Sequence, residues 1–130
     1  MKEPSFLALD EVLALHAHQI DRYGGSLGIR DVRLLGSALG TPSATFGGEF
    51  LHPSLEEMAA AYLFHLVQNH AFIDGNKRTG LATALLFLRL NDGDVSATEN
   101  ELVELTLGVA AGRLTKADVA VFFLSHSERA

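Results

Sequence analysis

Two apolar stretches, residues 58–67 and 81–90, dominate the middle of this 130-residue chain and are separated only by residues 68–80. The first is apolar nearly all round the helical period, so as a helix it must be covered on every side. Both therefore belong at the centre of a bundle, and whatever joins them lies against the core. The joint reads HAFIDGNKRTG and carries His70, Asp74, Asn76, Lys77 and Arg78. A short connection between core helices has no structural need for so many polar groups, and the pattern points to a functional site.

The remainder of the chain is consistent with one domain over residues 1–130. Residues 9–20 have helical spacing, with Val12, Leu13, Leu15 and Ile20 apolar and Asp10 available as a cap. YGGSLG, from Tyr23, ends that helix, and residues 29–39 read as a second, stopped by Gly40 and Pro42. In TPSATFGGEFLHPS two short β-prone pieces flank Gly47-Gly48, the pattern of a hairpin or mobile loop. Ser54 with Glu57 forms a capping box opening a helix over residues 55–68, and residues 77–90 form the next, with Phe64 and Leu85 expected in the core. Thr98 with Glu101 predicts a helix to about residue 109, and Thr115 with Asp118 a last one to about residue 124. The expected fold is all-α: about six helices around a central pair, with at most one short hairpin.

Several function classes drop out on composition. The chain has no cysteine, which removes disulfides, thiolate zinc sites and thiol catalysis and fits a reducing cytoplasm. Its longest apolar stretches fall short of the roughly 18 residues of a membrane span, and the N-terminus has no signal-peptide pattern. A net charge of −6 argues against general nucleic-acid binding. HExxH, Walker A and GxGxxG patterns are all missing, and the histidines His16, His18 and His65 do not share faces in a way that would assemble a metal site.

In this acidic chain the adjacent cations Lys77 and Arg78 stand out. Gly75-Asn76-Lys77 begins a helix, so free backbone N–H groups and the positive end of the helix dipole point outward there. Lys77 and Arg78 oppose that dipole, and a bound phosphate would relieve the conflict. The plainer alternative is two solvated side chains. Asp74 beside a polyphosphate is suited to Mg²⁺, though an aspartate in such a loop also satisfies its own backbone as an Asx-turn. Histidine as a residue type suits general-base work at neutral pH, which makes His70 a candidate base, against the alternative of a capping or packed histidine. Phe72 is expected to pin the loop to the core.

HAFIDGNKR resembles the signature of the Doc (death on curing) family, the compact toxin branch of the Fic/Doc superfamily. DRYGGSLGIRD, TFGGEFLHPS and LLFLRLNDGDV extend the likeness along nearly the whole chain. The resemblance implies an all-α fold built on a helix pair around the signature loop. Fic enzymes, with HPFxxGNGRxxR, transfer AMP from ATP to a protein hydroxyl. Here Ala71 replaces the proline, Lys77 the second glycine, and Leu81 the last arginine. In Doc proteins the lysine accompanies a reversed ATP and transfer of its γ-phosphate. The resemblance thus implies a protein kinase acting on a threonine of elongation factor Tu, arresting translation, and neutralised by a Phd-like antitoxin. By position, His70 and Asp74 would be catalytic, with Asp74 also holding Mg²⁺, and which of the two takes the proton stays open. Gly75, Asn76, Lys77 and Arg78 would grip the ATP phosphates, and Phe46, Gly47, Gly48, Glu49 and Phe50 would form a flap that docks the target. AMP transfer and a non-catalytic binding module remain as alternatives. No S/T-xxx-E-G/N inhibitory helix is present in the sequence, so control is expected from a partner chain.

Overall fold

A computed structural model describes residues 3–129. Six helices follow in order: α1 (Leu9–Tyr23), α2 (Val32–Gly40), α3 (Leu55–Asn69), α4 (Asn76–Leu90), α5 (Glu99–Ala110) and α6 (Lys116–Ser125). A 3₁₀ turn at Thr41–Ser43 and the hairpin β1 (Thr45–Phe46) and β2 (Glu49–Phe50) fill the passage from α2 to α3. The fold is a compact all-α bundle. Among the described residues no helix is long and apolar enough to cross a membrane.

Helix α3 runs through the middle and packs against α2, α4, α5 and α6. Its capping box is formed: Glu57 N–H donates to Ser54 Oγ at 3.1 Å, and Ser54 N–H to Glu57 Oε2 at 3.3 Å. The consecutive alanines Ala59, Ala60 and Ala61 are fully buried, and their small size lets neighbouring helices come close. On α4 the counterpart is Gly80, where a β-carbon would lie 3.3 Å from the Leu63 carbonyl and 3.0 Å from Val67. Tyr62 and Phe87 join α3 to α4 with ring centroids 5.2 Å apart. Phe6 stacks on Phe87 at 5.6 Å and touches Phe50 of β2 at 5.8 Å, so one end of the hairpin is tied to the core.

Four expectations need correction. Asp10 does not cap α1. The helix begins two residues earlier than that cap would place it, because Leu7 is drawn into the core, its N–H donating to the Tyr62 hydroxyl at 3.0 Å. Ala8 then occupies the cap position, and Glu11 accepts its N–H at 2.9 Å. Helix α2 starts at Val32, not at residue 29, because Ile29 forms an antiparallel bridge with Phe72 and Asp31 caps Leu34 N–H at 3.0 Å. A second strand pair exists beside the hairpin: β3 (Gly93–Val95) is antiparallel to β4 (Ser127–Arg129). Finally, Phe64 and Leu85 lie at the edge of the core, half-buried, whereas Tyr62, Leu66 and Phe87 occupy its interior.

Where the hairpin returns to α3, His52 and His65 lie close to Lys116, whose Nζ is 3.2 Å from His65 Nε2. Burial, and then the Lys116 charge, lower both imidazoles, His65 to about 4. Neutral His65 accepts the lysine's hydrogen bond.

Two outcomes follow from this packing. Phe87→Ala should destabilise the fold by about 3–5 kcal/mol in a denaturant melt, from lost burial and the cavity left behind. The unfolded chain binds a proton at His65 near 6.5, above the folded value of about 4. Stability from this group is therefore whole above pH 6.5 and declines as pH falls toward 4. In His65→Gln the dependence of melting temperature on pH over that interval should be visibly shallower.

Candidate active site

Helix α3 ends at His70, which adopts φ 50° and ψ 48°. That left-handed conformation is usually reserved for glycine at a helix end and costs another residue roughly 1 kcal/mol or more. The chain then turns through Ala71 and Phe72, both buried, to Gly75, whose φ of 77° opens α4.

The turn is held from inside and from two neighbouring segments. Asn76 brackets Phe72 with both ends of its amide: Phe72 N–H donates to Oδ1 at 2.9 Å and Nδ2 donates to the Phe72 carbonyl at 3.0 Å. From α1, the His16 ring lies flat on Phe72 with centroids 3.8 Å apart and planes at 7°. Its Nε2 is 2.8 Å from the Asp74 carbonyl oxygen, an atom that only accepts, so Nε2 carries the hydrogen. From the segment before α2, Ile73 N–H donates to the Gly28 carbonyl at 3.0 Å, while Arg30 and Asp31 N–H share the Ala71 carbonyl at 2.7 and 3.0 Å. Gly25 passes so near Asp74 that a β-carbon there would lie 2.6 Å from Oδ2.

A cavity of about 560 Å³ opens over the start of α4. His70, Asp74, Gly75, Asn76, Lys77 and Arg78, the residues singled out in the sequence, all line it. Its far wall is apolar, from Leu81 of α4 and Val103 and Leu107 of α5. Gln68 ties α3 to α5 beside this wall by donating to the Val109 carbonyl.

What each residue offers the cavity differs. Asn76 is buried and its side chain is engaged with Phe72, so the group it has for a ligand is its backbone N–H. The first α4 bond is Thr79 N–H to the Gly75 carbonyl, leaving the N–H groups of Asn76, Lys77 and Arg78 without intrahelical acceptors. Lys77 and Arg78 are exposed, and Arg78 rests over the Tyr23 ring at 4.4 Å. Asp74 Oδ1 accepts Gly75 N–H at 2.9 Å, an Asx-type contact, while Oδ2 has only a 3.4 Å approach from Ser26 N–H. Among the described residues no group of three or more His, Asp or Glu side chains is placed to hold a metal. One carboxylate is nonetheless a fitting partner for Mg²⁺ brought in on phosphates, since that ion keeps several waters. The hairpin residues Phe46, Gly47, Gly48, Glu49 and Phe50 do not line the cavity. Gly47 and Gly48 take the positive φ of a tight turn, and Phe46 is 82% exposed.

Sequence reasoning missed His16 as a support and set it aside with the other histidines. A signal was available: Val12, His16 and Ile20, spaced by four, are the buried face of α1, and a histidine on that stripe requires a buried partner. Arg30 and Tyr23 left no comparable trace.

A family model described as the Fic/DOC family matches residues 6–88. The chain belongs to that family. It is 40% identical over 111 residues to "Protein kinase doc" of Escherichia phage P1, covering 85% of this chain and 86% of the relative. It is 43% identical over 89 residues to "Toxin Doc" of Mycolicibacterium smegmatis, covering 64% of this chain and 68% of that protein.

If the Asn76 amide is a latch on Phe72, Asn76→Ala should lower stability by about 1–3 kcal/mol, because it leaves the buried polar groups of Phe72 unsatisfied. Calorimetric melting without any nucleotide would register it. A side chain used only to grip phosphate would leave that melt unchanged.

Proposed function

We propose that this protein is the toxin of a toxin–antitoxin pair and a kinase that moves the γ-phosphate of ATP to a protein hydroxyl. The observation that carries the reading is electrostatic. Helices α1, α3, α5 and α6 each have acidic residues in their first turn, matching the helix dipole. Helices α2 and α4 have none, but α2 is capped by the Asp31 carboxylate, whereas α4 has no side-chain cap and carries Lys77 and Arg78 in its first turn. Three free N–H groups and two cations at a cavity floor suit a polyphosphate. The names of the two relatives, one a protein kinase and one a toxin, support the same reading.

In this mechanism the backbone N–H groups of Asn76, Lys77 and Arg78, with the two cationic side chains, hold the phosphates. His70 removes the proton from the acceptor hydroxyl as its oxygen bonds to the γ-phosphorus. The bond from that phosphorus to the bridging oxygen breaks, and ADP leaves. Magnesium, held by Asp74 and the phosphates, would neutralise charge on the transferring group. The acceptor is a threonine of elongation factor Tu, offered along the flap at residues 46–50 by strand addition, and its modification arrests translation in the cytoplasm. A Phd-like antitoxin covers the site when the toxin is silent.

Incubation with a bacterial lysate and γ-labelled or α-labelled ATP tests the reading. Label should pass to protein from the γ-position alone. Transfer from the α-position would instead mean AMP transfer, and no transfer from either a binding module. His70→Ala should lose about 10²- to 10⁴-fold in transfer while nucleotide affinity holds, since a base acts in the chemical step.

A further inference from the structure

The Arg30 side chain reaches across to the end of α3 and takes its last carbonyls. Nε donates to the His70 carbonyl at 2.7 Å and Nη2 to that of Asn69 at 3.1 Å. The main chain at the same residue donates to the Ala71 carbonyl at 2.7 Å. Three consecutive carbonyls, 69 to 71, are thus held by a single residue. They are the points about which the chain leaves the helix and His70 enters its left-handed conformation.

We infer that Arg30 is a positioning residue for His70. The inference rests on the proposed role of His70 as the base. Arg30 does not line the cavity, so it cannot act by touching nucleotide there. Its guanidinium is planar, and the two N–H groups fix the directions of two successive peptide planes together. Those planes set the Cα–Cβ direction of His70, and hence where the imidazole enters the cavity. A lysine in the same place has one point of attachment and cannot fix both planes. The ordinary alternative is a cation that neutralises a helix C-terminus and adds only stability.

The two roles separate in kinetics. In Arg30→Ala the main-chain bonds of residues 30 and 31 to Ala71 remain, so the loop stays docked and the protein folds. With purified elongation factor Tu as acceptor, kcat should fall on the order of 100-fold, the usual effect of misplacing a reacting group by about an ångström. KM for ATP and nucleotide affinity should hold, because the phosphate grip on α4 is untouched. Arg30→Lys should recover only part of the loss, and guanidinium ion added to Arg30→Ala should restore rate. The His70 ¹³Cα shift, read by NMR without substrate, should move away from its left-handed position in Arg30→Ala. An Arg30→Ala variant with wild-type kcat overturns the inference, and so does an unchanged His70 shift. A wild-type protein that transfers no phosphate overturns the kinase reading instead, and the NMR measurement then decides on its own whether Arg30 holds His70.

Discussion

The contact on which the site depends is internal to a short loop: the side chain of Asn76 closing both hydrogen bonds with the Phe72 peptide. Phe72 is almost wholly buried and sealed under the His16 ring, so its N–H and carbonyl have no access to water. Unless a side chain supplies partners, a turn this tight could not sit on a core. With them supplied, the central helices α3 and α4 can be joined by residues 70–75, and the start of α4 opens onto a cavity. The loop's polar groups are therefore of two kinds. Asn76 looks inward and makes the turn possible, whereas His70, Lys77 and Arg78 look outward.

That division explains what could be read from the sequence and what could not. The starts of α3, α5 and α6 were legible because their signals are local: a serine or threonine followed three residues later by an acid. The central pair was legible because residues 58–67 have no polar face. The start of α2 was not, since Ile29 and Arg30 have helical neighbours on one side and are drawn into extended pairing by Ala71 and Phe72, some forty positions along. Strands of three residues separated by some thirty positions and two helices, such as β3 and β4, leave no periodic mark at all. At the candidate site, residue types and spacing picked out six residues that line one cavity. They could not distinguish an amide aimed at a ligand from one aimed at a peptide, because that depends on which way the side chain of Asn76 turns.

The supports are also unequal in chemistry. Arg30 works on carbonyls at the exposed rim, where water competes for each bond. His16 works beneath, by a flat ring contact and one hydrogen bond in a dry place. The loop thus has a firm floor under Phe72 and Asp74 and a more yielding edge at His70. The unpaired N–H groups at the start of α4 grow out of the floor, and the proposed base stands on the edge.

The conformation of His70 shows the chain declining an easy improvement. Glycine at that position would adopt φ 50° freely, and asparagine nearly so, and either would relax the end of the central helix α3. A redesign judged only on melting temperature would choose one of them early. Such a scan, run over the whole bundle, would therefore erase the imidazole from the cavity while reporting progress. For the proposed base, thermal robustness is a poor guide to usefulness, and backbone angles of this kind are where a stabilising library should be held fixed.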